Sequence, residues 1–170
     1  MSSANDAQFD GPSALLAVWR AGLVGQPCWG VIAGAGTGSH FSLRLGEKIP
    51  LRRPLRNPSL SEDERRFDGR FRVFVQHCAW RLERGAEVLC ASTSDNADGG
   101  EMLSGLAALR GAVVERCDVA APAQDLTIGF SGGLVLRVFC DQIERDNWSA
   151  GADGSPVVTA GAGGRLVVEA

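Results

Sequence analysis

The sequence predicts an α+β domain, mostly antiparallel β, whose two pseudo-symmetric halves form a barrel-like or sandwich body with two short helices. Three observations predict it. Apolar residues recur with helical spacing near residues 13–24 and again near 100–109. After each such run comes period-two alternation broken by glycine, the mark of antiparallel strands and tight turns. The order of these signals in residues 13–91 then returns, shortened, in residues 99–170, across the linker Ser92–Gly100. A repeated pattern of this kind implies halves that bury one face against each other. With 170 residues the chain suits one domain over 13–170, preceded by a flexible polar tail over 1–12.

In chain order, Ser13–Val24 places Leu15, Val18, Trp19 and Leu23 on one helical face, and the Ser13 hydroxyl is placed to cap it. Strands are expected at Trp29–Ala33 and Phe41–Leu45. The Gly34-Ala35-Gly36-Thr37-Gly38-Ser39-His40 stretch between them lacks the Gly-Lys-Ser/Thr ending of a phosphate loop and leads into a strand. It reads as a hairpin or bulge. Three prolines and mixed charge mark Pro50–Gly69 as a surface excursion. Its carboxylates, Glu62 and Glu64 among them, are expected to be solvated, and Arg52, Arg53 and Arg56 to pair locally with Glu62, Asp63 and Glu64.

Phe71–Leu82 reads as one long strand, with Phe74, Cys78, Trp80 and Leu82 on one face and Phe71, Val73, Val75, His77 and Ala79 on the other. Both faces being apolar, it is expected at the centre of a sheet. Glu87–Ala91 ends the first half. The second opens with a helix over Gly100–Leu109, stopped by Gly111. Strands follow at Val113–Val119, Leu126–Phe130, Leu134–Phe139, Val157–Ala160 and Leu166–Glu169. In the alignment of the halves Phe71-Arg72-Val73-Phe74 falls on Leu136-Arg137-Val138-Phe139, and Trp80 on Trp148; both indoles are expected in the core.

A formal net charge of −3, with Lys48 the only lysine, supplies no basic field for nucleic acid. The apolar segments fall short of the roughly 20 residues that span a bilayer, and the acidic start lacks the pattern of a secretory signal. Five cysteines without a CxxC pair fit a reducing compartment, hence a cytoplasmic location. His40 and His77 are the only histidines. Adjacent strand residues face opposite ways, so His77 and Cys78 form neither a chelate nor a dyad, and no metal, cofactor or catalytic set is expected.

Leu23-Val24-Gly25-Gln26, the run Gly36-Thr37-Gly38-Ser39-His40-Phe41-Ser42-Leu43-Arg44-Leu45-Gly46 and the segment Val73–Arg81 with its Cys78-Ala79-Trp80 resemble an uncharacterised family of small bacterial proteins. That family carries a Leu-x-Gly opening, a Gly-x-Gly-Ser hairpin, a strand closing in Cys-x-Trp, and a second half with a late Trp. His40 departs from it, standing where an apolar residue follows the Gly-Ser. The resemblance covers residues 20–160 and implies a bacterial origin without implying an activity.

The expected function is non-enzymatic binding of another protein, such as a toxin held by an immunity-type antitoxin, with no nucleic-acid or membrane partner and self-association left open. The alternative is a small-molecule binder or enzyme with its site at the cleft between the halves. Ser39, His40, His77 and Trp80 are its candidate ligand residues.

Overall fold

Proline at a first helical position presets φ and lacks only an N–H that would have no partner there. Pro12 accordingly opens α1 (Pro12–Leu23), and Gly11 rather than Ser13 occupies the cap. The computed structural model describes residues 11–169; the first ten residues of the expected tail lie outside them, while Gly11 and Pro12 belong to this helix start. Leu15, Leu16, Trp19 and Leu23 are buried, whereas Val18, expected beside them, is 57% exposed.

The first half continues through β1 (Cys28–Ile32), β2 (Phe41–Pro50), a short helix α2 (Glu62–Arg66), β3 (Phe67–Val75), β4 (Ala79–Arg84) and β5 (Glu87–Ala91). The second runs through α3 (Glu101–Leu106), β6 (Val114–Ala120), β7 (Asp125–Phe130), β8 (Leu134–Phe139), β9 (Trp148–Ala152), β10 (Val157–Ala160) and β11 (Leu166–Glu169). Among the described residues three α-helices thus stand where two were expected: α2 lies in the excursion, where Ser61-x-x-Glu64 forms a capping box. The Gly34–His40 stretch is the hairpin connection between β1 and β2, which pair antiparallel.

The strands form a sandwich-like body of two antiparallel sheets, without barrel closure. One has the order β1-β2-β3-β9-β10-β11 and the other β5-β4-β8-β7-β6. The first three strands of each half lie together in one sheet and the next two in the other, with β11 added at the edge of the six-stranded sheet. The helices close the sides left open: α1 packs on β6 and on β9–β11, while α3 packs on β5, and the turn after it on β1.

The expected Phe71–Leu82 strand is in fact two. Phe71, Val73 and Val75 are buried on β3, and Cys78, just before β4, with Trp80 and Leu82 on it, are buried too, so the inward parity changes between Val75 and Cys78. His77 makes that change in a left-handed conformation, φ 57°. There the chain leaves one sheet for the other, held by a 2.9 Å bond from Gln76 N–H to the Asn147 carbonyl. Apolar residues on both parities thus record a crossing between sheets.

Where the halves meet, hydrogen bonds come in reciprocal pairs. Gly25 N–H donates to Val114 O at 2.7 Å, and Gly111 N–H to Cys28 O at 2.6 Å. Cys28 N–H donates to Ala112 O at 2.8 Å, and Val114 N–H to Gln26 O at 2.9 Å. The indoles match as well: Trp80 donates to Ser39 O and Trp148 to Gln124 O, both at 2.8 Å. Val75 pairs with Trp148 and Val138 with Trp80, so Phe71–Phe74 corresponds to Leu134–Arg137, two residues earlier than the sequence alignment placed it. Gly30 lies opposite Arg44 in one half, and Arg116 opposite Gly129 in the other, so the arginine and glycine exchange strands.

Candidate functional site

The side chains turned away from the core on the six-stranded sheet build a concavity. One rung crosses all six strands as Ile32, Ser42, Phe74, Ser149, Thr159 and Val167. The next runs Gly30, Arg44, Arg72 and Gly151. Small residues beside Phe74 and Arg72 leave a trough of about 240 Å³, with Ile32, Phe74 and Val157 as apolar walls. Arg44, Asp68 and Arg72 give it a charged end.

Asp68 is shared there between two guanidiniums, at 3.4 Å from Arg44 Nε and 2.8 Å from Arg72 Nη1. Arg44 is buried, and its Nη1 donates to the carbonyls of Glu64 and Phe67. Burial pushes its pKa down, against the upward pull of Asp68 and Glu64. Two cations facing one carboxylate leave the trough locally positive.

Glu64, expected in solvent, is 3% exposed. Its Oε2 accepts from Ser61 N–H at 3.0 Å, and its Oε1 accepts from Val31 N–H at 3.1 Å and meets Arg110 Nη1 at 2.7 Å. It therefore ties α2 to β1 and to the segment after α3. Burial raises its pKa, but the hydrogen bonds from Ser61 and Arg110 together hold it below the ordinary 4.5. A carboxylate with a lowered folded pKa contributes stability that is complete above its unfolded value and lost as pH falls through the folded one. Thermal melts of the wild type should lose stability below about pH 4.5 more steeply than melts of Glu64→Gln, which is expected to be less stable by about 2 kcal/mol at pH 7. Parallel pH profiles for the two proteins would overturn that role. The other charges of the excursion differ from expectation too, since Asp63 pairs with Lys48 and Glu62 with Arg66.

The four candidate residues from the sequence lie near one another beside the trough, whose lining comes from strands of both halves. Trp80 is 2% exposed, packed edge-to-face on Phe41 with ring centroids 4.6 Å apart, so it serves the core and fixes Ser39 through its carbonyl. His40 and His77, both partly exposed, meet edge-to-face at 4.5 Å. His40 also lies 6.1 Å from Phe74, which places the histidine pair at one end of the trough. Partial burial and the neighbouring His77 hold its pKa below 6.5. The interior of the molecule is filled by core residues such as Leu43, Trp80, Leu136 and Trp148.

Burial pushes the thiols of Cys28, Cys78, Cys117 and Cys140 up to about 12 and that of Cys90 to about 11. At neutral pH they are protonated fillers of the interior. Sequence reading missed Arg44, Asp68 and Arg72, although the alternation of Arg44 with Leu43 and Leu45 was a signal that its side chain leaves the core face. No family model matches the chain, and no curated protein and no solved structure matches it.

Proposed function

We infer that the protein acts by binding a protein partner through the outer face of its six-stranded sheet, without catalysis, as an immunity-type antitoxin of a bacterial cytoplasm does. The trough carries this reading: an aromatic centre at Phe74, bordered by Arg44, Asp68 and Arg72, has the apolar middle and charged margin of a recognition surface. The state of the histidines and cysteines supports the absence of chemistry. His40 is packed on the rings of Phe74 and His77, and the thiols stay protonated. The matched strand orders and reciprocal hydrogen bonds support descent of the two halves from one duplicated unit. On this reading α2 and its excursion are an addition to the first copy, beside the face that binds.

Affinity purification from the native host should retain a partner that Phe74→Asp loses at least tenfold, with the variant's melting curve confirming that it is folded. His40→Ala and His77→Ala, at the end of the trough, should weaken retention by less than Phe74→Asp does. Turnover on a broad hydrolase panel that disappears in a folded single-histidine variant would overturn the reading in favour of an enzyme. Retention of the partner by Phe74→Asp would remove the trough from the interface.

A further inference from the structure

We propose that the trough seats one carboxylate of the partner, an Asp or Glu side chain, against Arg72; this rests on the trough being the binding face. The two guanidiniums at its charged end differ in what remains free. Arg44 is 8% exposed and is committed to Asp68 and to the carbonyls of Glu64 and Phe67. Arg72 has 43% of its side chain exposed, and its one ion pair among the described residues runs from Nη1 to Asp68. Its Nη2 faces Gly151, where an added Cβ would lie 3.7 Å from that nitrogen and 3.3 Å from Val157 Cγ2. The missing side chain keeps the approach to this edge of the guanidinium open.

Around this edge the lining suits a carboxylate on a short apolar stem. Ser42 and Ser149 stand on either side of Phe74, one rung away, with hydroxyls able to donate to a second carboxylate oxygen. Ile32 and Val157 offer apolar contact to methylenes. A planar guanidinium edge matches a carboxylate with two parallel N–H bonds. Size points to a side chain of a larger molecule, because about 240 Å³ lies below the roughly 300 Å³ at which pockets begin to enclose whole ligands.

The test is a titration of the ¹⁵N-labelled full chain with acetyl-glutamate-methylamide, its glutamine counterpart, free glutarate and inorganic phosphate. The glutamate probe should shift the Arg72 Nε–H signal and the amides of Phe74 and Ser149, with the glutamine probe at least tenfold weaker. Arg72→Gln should abolish these shifts, and Gly151→Ala, which leaves the charge in place, should weaken them severalfold. Equal binding of the glutamine probe, or shifts that survive in Arg72→Gln, would overturn the proposal. Tighter binding of glutarate would assign the trough to a free small acid, and tighter binding of phosphate to a general anion, and either would also overturn it. Failure of the glutamate probe while Phe74→Asp still loses the partner would sink the carboxylate seat and leave the binding face standing. Partner retention by Phe74→Asp would sink the face itself.

Discussion

Trp148→Ala should cost about 4 kcal/mol of unfolding free energy, read from the midpoint of a urea melt at unchanged slope. The indole is fully buried where β9 pairs with β3, and its N–H donates to the Gln124 carbonyl at 2.8 Å. Truncation removes a large apolar contact and leaves a cavity between the sheets that backbone pairing on both sides resists closing. Trp148→Phe should cost about half as much, because most of the volume remains and Gln124 O still accepts from Cys140 Sγ at 3.1 Å. Trp80 occupies the matching place, so Trp80→Ala should lose a similar amount. A loss under about 1 kcal/mol at either position would mean that the indole does not anchor the core.

Asn147→Ala should cost about 3 kcal/mol, although the change deletes few atoms. The side chain is fully buried. Its Nδ2 donates to Gly161 O at 3.1 Å and its Oδ1 accepts from Gln142 N–H at 3.1 Å, so truncation leaves the partly buried Gln142 N–H without that partner and takes one of two donors from the buried Gly161 carbonyl. Its own carbonyl accepts from Gln76 N–H at 2.9 Å and Cys78 Sγ at 3.2 Å, which joins the two places where the chain passes between sheets. Hydrogen exchange provides the specific readout: the Gln142 amide should lose protection in the variant by more than the global loss of stability explains. An unchanged ratio would reduce Asn147 to a packing residue.

Elements whose register is written in local alternation were legible in the sequence. Leu134–Phe139, Glu87–Ala91, Val157–Ala160 and Leu166–Glu169 fall where period two and flanking turn residues put them. Legibility failed where one residue carries a long-range event. At His77 the inward parity changes without glycine or proline, so the alternation alone looked like a strand buried on both sides. Trp148–Ala152 is short and rich in small residues, and its position is set by pairing with Phe71–Val75, some 75 residues away, rather than by its own pattern. Glu64 was readable in part: the Ser61-x-x-Glu64 spacing announces a helix start, but only the fold brings Val31 and Arg110 to the same carboxylate. The trough escaped for a related reason. Arg44 and Arg72 are 28 positions apart and become neighbours only through the pairing of β2 with β3.

Because β3 pairs with β9 and β4 with β8, neither sheet can be completed from one half of the chain. A half made alone would have two incomplete sheets and exposed strand edges, the condition that invites mispairing between molecules. The molecule is in this sense laced rather than stacked. Its second half must be present before the first can reach its final form, so a first half synthesised earlier waits with open strand edges until the second arrives.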